Sequence, residues 1–434
     1  MGIPVNVPQV WLACPLPIRL AALFAAGLGA GGLANWAIYT LAFDRRAISP
    51  WLRAPGGAPP RGWLDRLPIA GWWRLRRERS IWGPAFWIRP LVLEIACGVG
   101  LVALYVWETI ELGLHPAWLP PNAGVQLAAS VHIQFAAHAA LLLFLLVATF
   151  IDFDEKTIPD LVTVPGTVVG LLFAGSASAS RLPDVLRTDR GITVAPLLID
   201  DGSSIRWLAG PLGWWLAIAV VWAWCFALLD KTCTLRRGVV RGFRYLCVSA
   251  FRRKSWIAIG PIGLLVSGFV TWRWSAGGAG WHALCAALAG LAFGGAMVWG
   301  VRAVGKWALG LEAMGFGDVT LMAMIGVTLG WQSTVVVFFL APFCAVPIAI
   351  TQWLLTGRTH IAFGPYLSLA ALVLIIAWDR LWTQGASLYF SNAWFVPLLV
   401  LVCELLMGLM LRAWRRFAER FLGMEYGGRM NAER

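Results

Sequence analysis

Long apolar segments constrain the fold of this chain more than any other feature. Nine of them are long enough to cross about 30 Å of hydrocarbon as helices. They lie at residues 19–43, 90–110, 131–151, 208–229, 257–274, 281–303, 334–356, 362–378 and 393–411. Two shorter segments, 161–177 and 318–332, bring the total to about eleven. Since 59% of the residues are hydrophobic and only 13% are charged, about half the usual share, we expect an all-α polytopic membrane protein.

The basic residues predict how the chain is oriented. Residues 44–89 contain ten Arg and three acids, residues 231–255 contain eight Lys or Arg and no acid, and residues 412–434 form a basic tail. Positive charge is retained on the cytoplasmic side of a membrane. Eleven spans with the N-terminus outside place all three regions there. The net charge of +13 therefore indicates anionic lipids as partners and not nucleic acid.

Cysteine and histidine patterns predict no metal site. The eight Cys are scattered singly without a Cys-x-x-Cys pair, which favours neither a metal knuckle nor a disulfide framework. His132 and His138 are six residues apart, a spacing that does not share one helical face. Residues 1–18 carry no charge and lack the basic region of a cleavable signal peptide. Glu94 is expected to pair with an Arg at the interface.

Two acidic motifs stand at the ends of apolar segments, where an acid suggests a function. The first runs from Asp152 to Asp160 and ends in Ile-Pro-Asp, and the second is a Gly-x-Gly-Asp motif that ends at Asp318. In the topology above both lie at the cytoplasmic interface, although 166 residues separate the two acids. Two carboxylates a few ångströms apart share one proton. Such a pair can activate water and polarise a peptide carbonyl.

The residues around these acids leave two interpretations open. Gly315 and Gly317 allow the backbone to approach closely before a helix begins, and Asp318 would lie where the helix dipole favours its ionised form. Each acid taken singly is also explained as an ordinary interfacial residue. Asp154 and Glu155 are interpreted as part of a solvated turn.

The motifs taken together resemble those of the type IV prepilin leader peptidases, which are aspartic intramembrane proteases of the Gly-x-Gly-Asp type. A Phe-Gly-Pro sequence at 363–365 is similar to the entry into a later helix of that family, and the similarity covers 131–177 and 281–380. The resemblance implies that Asp152 and Asp318 are catalytic, because Asp152 has the family's spacing of six residues to Ile158. The supporting motif residues are Gly315, Gly317, Pro159, Asp160, Gly364 and Pro365.

The resemblance also implies a function. The chain would be an endopeptidase of the bacterial cytoplasmic (inner) membrane that removes a basic leader, after Gly, from type IV prepilins or pseudopilins at the cytoplasmic face. Bifunctional members also methylate the new N-terminus with S-adenosylmethionine and carry paired Cys-x-x-Cys motifs in their first loop. Residues 67–75 and 89–94 look like a relic of that region, but the loop has no Cys. We therefore expect no cofactor and no methylation, and Arg and Trp side chains in place of a metal or disulfide. Thr320 also departs from the Lys of many members.

These inferences divide the chain into five regions. They are the N-terminal helices and Arg-rich loop (1–130), the first half of the peptidase core (131–177), an insertion with two helices (178–280), the second half (281–411) and the tail (412–434). Two alternatives from other classes remain, a proton-coupled transporter and a catalytically silent scaffold that binds pilin-like helices. Transporters favour acids at the membrane midplane and internal repeats, and the sequence displays neither.

Overall fold

The computed structural model describes residues 11–119, 123–188, 191–199, 206–229, 255–310, 314–356, 362–390, 392 and 394–421. The helices are α1 (Leu16–Leu41), α2 (Ala70–Leu75), α3 (Arg79–Trp82), α4 (Ile88–Tyr105), α5 (Ala123–Glu155), α6 (Asp160–Ser176), α7 (Pro211–Leu228), α8 (Ser255–Ala276), α9 (Gly278–Leu309), α10 (Phe316–Leu329), α11 (Trp331–Thr356), α12 (Gly364–Ile376) and α13 (Phe395–Phe421). Two strands, β1 (Pro183–Thr188) and β2 (Gly191–Pro196), form an antiparallel hairpin. Most of the expected basic loop 231–255 and the tail beyond residue 421 lie outside the described residues.

Each of the eleven apolar segments forms a helix. Eight helices among the described residues are long and apolar enough to cross a membrane, namely α1, α4 with its following π turn, α5, α7, α8, α9, α11 and α13. Helices α6, α10 and α12 are apolar but shorter. The expected all-α polytopic class is confirmed in this form, while the number of crossings and the orientation stay predictions. Helix α13 continues into the basic tail as far as Phe421.

The shortest of these helices lie inside the bundle. Every residue of α10 from Asp318 to Leu329 is buried. Helices α9 and α10 touch at Gly290 and Gly326, where a Cβ on either glycine would collide with the carbonyl oxygen of the other. A 14-residue helix is only about 21 Å long, less than the thickness of the hydrocarbon core. Helix α10 therefore begins next to an accessible Gly315 and is enclosed by its neighbours from Asp318 onwards.

The Arg-rich loop 44–89 folds around two buried acids. Glu78 pairs with Arg61 at 2.6 Å, and Asp65 pairs with Arg77 at 2.7 Å and with Arg74 at 3.1 Å. Burial by itself would raise the pKa of Asp65, but hydrogen bonds from Arg77, the Gly62 N–H and Arg74 lower it below its ordinary value. Arginine side chains thus hold together a loop that has no cysteine.

The insertion begins with the β-hairpin, which was not predicted from the sequence. The strands pair from Pro183 with Pro196 to Thr188 with Gly191. The hairpin is attached to the core by an indole N–H of Trp378, which donates to the Pro183 carbonyl at 2.8 Å. We call this the hairpin end of the bundle, and we call the opposite end, where the loop 44–89 lies, the loop end.

A buried arginine and a hydrophobic cluster connect the insertion to the helices behind it. The buried Arg181 donates to the carbonyl oxygens of Val327 at 2.6 Å and Thr328 at 3.2 Å, at the C-terminal end of α10. Helices α7 and α8 pack against α6 and α9 in a second hydrophobic cluster. A Cβ on Gly175 in α6 would lie 3.7 Å from Leu284 in α9. The chain therefore leaves the core and re-enters it at neighbouring points.

Candidate active site

Asp152 lies in the last turn of α5, and the chain reverses directly after it. The helix ends where the Lys156 N–H donates to the Asp152 carbonyl at 2.8 Å, with Lys156 in the left-handed region at φ 56°. The extended Pro159 then precedes Asp160, the first residue of α6. The side chain of Asp152 is buried, with 5% of its surface exposed, whereas Asp160 is exposed. The first acidic motif therefore presents one acid to the interior and one to the surface.

Asp318 lies in the first turn of α10. The extended Gly315 precedes the helix, and its N–H donates to Asp318 Oδ2 at 3.2 Å. Asp318 thus satisfies one of the free N–H groups at its own helix start, and only 8% of its surface is exposed. Thr320, which replaces the Lys of many family members, is also buried and donates its hydroxyl to the Gly317 carbonyl at 3.0 Å. The Thr320 hydroxyl therefore holds the backbone of Gly317, the second glycine of the motif, in place.

The Phe-Gly-Pro motif places a third helix start against the first aspartate. The Gly364 N–H, at the beginning of α12, donates to Asp152 Oδ2 at 3.1 Å. A Cβ at Gly364 would lie only 2.7 Å from that oxygen, so the contact depends on glycine. Pro365 follows in the first turn of α12, where its missing N–H costs nothing. Asp152 and Asp318 therefore each accept a hydrogen bond from the backbone at a helix N-terminus.

Ile158 packs between the other two motifs. A Cβ at Gly317 would lie 2.8 Å from Ile158 Cβ, and a Cβ at Gly364 would lie 2.7 Å from Ile158 Cδ1. The side chain is itself buried. The carboxyl groups of Asp152 and Asp318 lie close enough to interact electrostatically. Residues that are far apart in the sequence thus meet at the loop end of the bundle, and two buried carboxyl groups share this site.

Two neighbouring acids have partners that the sequence did not predict. Asp154 is exposed, and both of its oxygens accept bonds from Arg89 Nη1, at 2.8 and 3.0 Å. The two oxygens of Glu155 accept the N–H groups of Phe43 and Asp44, each at 2.9 Å. Both acids bind the N-terminal region of the chain, and neither is directed at the site of Asp152.

Other polar residues lie away from this site. His138 Nδ1 lies 2.8 Å from the buried Glu108, while His132 contacts Tyr105 at 3.1 Å. Within the described ranges there is no group of three or more His, Cys, Asp or Glu that could hold a metal ion. Glu94 does not pair with an Arg as expected. It accepts hydrogen bonds from the Ile69 N–H and the Trp72 indole instead, because the folded loop brings these donors to it.

Comparison with known proteins places part of the chain in a family. Residues 252–350 match the type IV leader peptidase family. This segment contains Gly315, Gly317 and Asp318, ends before Gly364 and excludes Asp152. It also includes α8, which the sequence analysis assigned to the insertion. The predicted resemblance to the prepilin leader peptidases is confirmed by this match and by the relatives below.

Three relatives carry the name prepilin leader peptidase/N-methyltransferase. The protein from Pseudomonas aeruginosa is 33% identical over 98 residues, which are 22% of this chain and 34% of that protein. The protein from Neisseria gonorrhoeae is 33% identical over 103 residues (24% and 36%), and that from Escherichia coli K12 is 37% identical over 71 residues (15% and 32%). The matched region thus spans about a third of the length of these relatives. No solved structure matches the chain.

Proposed function

We propose that this chain, which carries a type IV leader peptidase region over residues 252–350, is an aspartic endopeptidase of the bacterial cytoplasmic membrane. Its substrates would be type IV prepilins or pseudopilins, cut after the Gly that precedes their apolar helix. The loop end of the bundle would face the cytoplasm, where positive charge is retained. The bond to be cut would reach the site from that side.

One observation carries the proposal. Asp152 and Asp318 come from two separate motifs, are both buried, and lie at the loop end where Ile158 packs against both Gly317 and Gly364. Acids in such a position are costly for a membrane protein, and this cost favours a functional interpretation. The carboxyl pair belongs to the same class as the pairs of soluble aspartic proteases, in which one proton is shared.

The mechanism follows from the shared proton. The ionised carboxylate takes a proton from a water molecule while the water oxygen attacks the carbonyl carbon of the scissile bond. The protonated carboxyl donates to the carbonyl oxygen, and a tetrahedral intermediate forms. The carboxyl that took the proton from water then passes it to the amide nitrogen, while the other carboxylate takes a proton from a hydroxyl of the intermediate. The C–N bond breaks, and the pair again holds one proton. The N–H groups of Gly315 and Gly364 hold one oxygen of each carboxyl group in place through these steps.

The methyltransferase activity in the relatives' name is not part of the proposal. The loop 44–89 has no cysteine, and its acids are engaged by arginines. The proposed reaction uses no cofactor, and S-adenosylmethionine would be needed only if methylation were retained.

A cleavage assay tests the proposal. A precursor with a basic leader, Gly and an apolar helix is co-expressed with the wild-type chain, Asp152→Asn or Asp318→Asn, and the N-terminus of the product is read by mass spectrometry. The wild type is expected to trim after Gly, and both variants are expected to lose cleavage. Glu419→Gln is the matched control, because it neutralises an exposed acid on α13 and should cut normally.

Two outcomes would count against the proposal. If the wild-type chain leaves several well-expressed precursors uncut, the peptidase function is contradicted. The scaffold and transporter functions are then favoured instead. Cleavage that persists in either Asn variant removes the carboxyl pair from the mechanism. An added methyl mass on the product would show that methylation is retained.

A further inference from the structure

The last turn of α5 carries three acids, and only one of them belongs to the proposed catalytic pair. Asp154 binds Arg89 at the start of α4, and Glu155 binds two successive backbone N–H groups just after α1. These bonds join α5 to two segments of the N-terminal region. They lie two and three residues from Asp152, so they fix the same turn of helix.

Arg89 is itself held on several sides. Its guanidinium lies over the ring of Phe150, 4.7 Å from the ring centre, and a cation in this position is attracted by the aromatic face. The next residue, Pro90, accepts a hydrogen bond at 2.9 Å from the buried Asn35 of α1. The ion pair remains partly accessible, with 34% of the Arg89 side chain and 23% of the Asp154 side chain exposed.

The same short stretch of α4 connects to the Arg-rich loop. Glu94, five residues after Arg89, accepts the Ile69 N–H at 2.5 Å and the Trp72 indole N–H at 2.7 Å. Both donors belong to the part of the loop that is organised by Asp65. Helix α4 therefore contacts the loop through Glu94 and the last turn of α5 through Arg89.

We infer that Arg89, Asp154 and Glu155 are positioning residues for Asp152. They hold the end of α5 against α1 and α4, so that the Asp152 carboxyl meets the start of α12 and Asp318. The backbone reverses at the left-handed Lys156 and provides no further helical turn to restrain this position. In this arrangement the cysteine-free loop has a structural role that does not require methylation, because its contacts stabilise the peptidase site. The inference rests on the proposed peptidase function.

Charge reversal with rescue tests the inference. Arg89→Glu, Asp154→Arg and the double exchange are purified in detergent, and cleavage of one precursor is measured as kcat and KM. A misplacement of about 1 Å can cost about 100-fold in rate, so each single variant is expected to lose about 10- to 100-fold in kcat with little change in KM. The double exchange should recover most of this loss. Arg89→Lys, which keeps the charge, should lose less than Arg89→Glu.

The control is an ion pair of the same kind on another helix. Arg415 and Glu419 on α13 pair at 2.7 Å, and their exchange should leave kcat at the wild-type value. Thermal unfolding in detergent identifies variants that have lost the fold, and the conservative Arg89→Lys keeps the test valid if Arg89→Glu does not fold.

Hydrogen–deuterium exchange gives a second result that does not depend on cleavage. The rate of backbone hydrogen–deuterium exchange in residues 150–158 is expected to rise in each single variant. It is expected to return to the wild-type rate in the double variant, in which the two charges are swapped. Single variants that cut and exchange like the wild type overturn the inference while the proposed function stands. A wild-type chain that cuts no precursor contradicts the proposed function, and the exchange data then still decide whether these contacts hold this turn.

Discussion

Gly364→Ala should separate the activity of this protein from its stability. The added Cβ would lie 2.7 Å from Asp152 Oδ2 and 2.7 Å from Ile158 Cδ1, whereas ordinary contact begins at 3.4 Å. Each neighbour must therefore move by 0.7 Å, the difference of these two distances. Both neighbours are ends of side chains, so the backbone can remain in place. The Asp152 carboxyl, however, leaves the position that the Gly364 N–H now fixes.

The two effects have different sizes. Overpacking costs about 1–3 kcal/mol, and alanine regains about 1 kcal/mol of helix propensity over glycine, so the free energy of unfolding should change by less than about 2 kcal/mol. A carboxyl displaced by most of an ångström should lower kcat by about 10- to 100-fold. Cleavage kinetics on a purified precursor and thermal unfolding in detergent measure the two quantities separately.

A matched substitution serves as the control. Gly295 lies in the core helix α9, and a Cβ there would meet Ala323 at 3.5 Å, which is ordinary contact. Gly295→Ala should therefore cut like the wild type. If Gly364→Ala cuts equally well, the carboxyl does not depend on this contact and the reasoning about the site is refuted.

Three further predictions follow from the structure. Gly317→Ala should lose more activity than Gly315→Ala, because a Cβ at 317 would lie 2.8 Å from Ile158 Cβ and one at 315 would lie 3.5 Å from its nearest neighbour; equal kcat values would contradict this. Thr320→Val removes the hydroxyl bond to Gly317 and should cost about 1 kcal/mol, visible as a lower Tm, and an unchanged Tm would count against it. The lowered pKa of Asp65 stabilises the loop above the carboxyl's unfolded pKa, and this contribution disappears as pH falls through the lowered native value. Limited proteolysis of the loop should accelerate in acid, and Asp65→Asn should remove that dependence.

Much of the fold could be predicted because hydrophobicity is a local signal. Every apolar segment became a helix, and most boundaries agree with the structure to within a few residues. The largest differences are at the start of α5, which begins at Ala123, and at the ends of α9 and α13, which continue to Leu309 and Phe421. The extension of α9 and α13 has a simple reason. Their last turns contain Lys, Arg and Trp, which end a hydropathy segment but not a helix, because long cationic side chains tolerate the membrane interface.

The sequence motifs select two candidate acids, whose catalytic role stays a prediction, but the surroundings of these acids could not be predicted. The motif spacing selects Asp152 over Asp154, and the structure gives Asp154 a different partner, Arg89. That partner depends on where the folded loop places the start of α4, which no local pattern encodes. The sequence did contain a signal for this ion pair, namely the excess of Arg before α4 and of acids at the end of α5. The hairpin also had a signal in its short runs of β-branched residues, although no strand was predicted there.

The neighbouring exit and entry points of the insertion have a consequence for how the chain can vary. Gly175 in α6 lies against Leu284 in α9, so the two ends of the intervening segment are already together. The entropy of closing such a loop rises only slowly with its length. Additional residues in the loops between these points therefore add little closure entropy, and the separation of Asp152 and Asp318 does not enter that cost. Loss of α7 and α8 themselves would remove packing from the second hydrophobic cluster. The loops between α6 and α9 can therefore vary in length while the two acids keep their places.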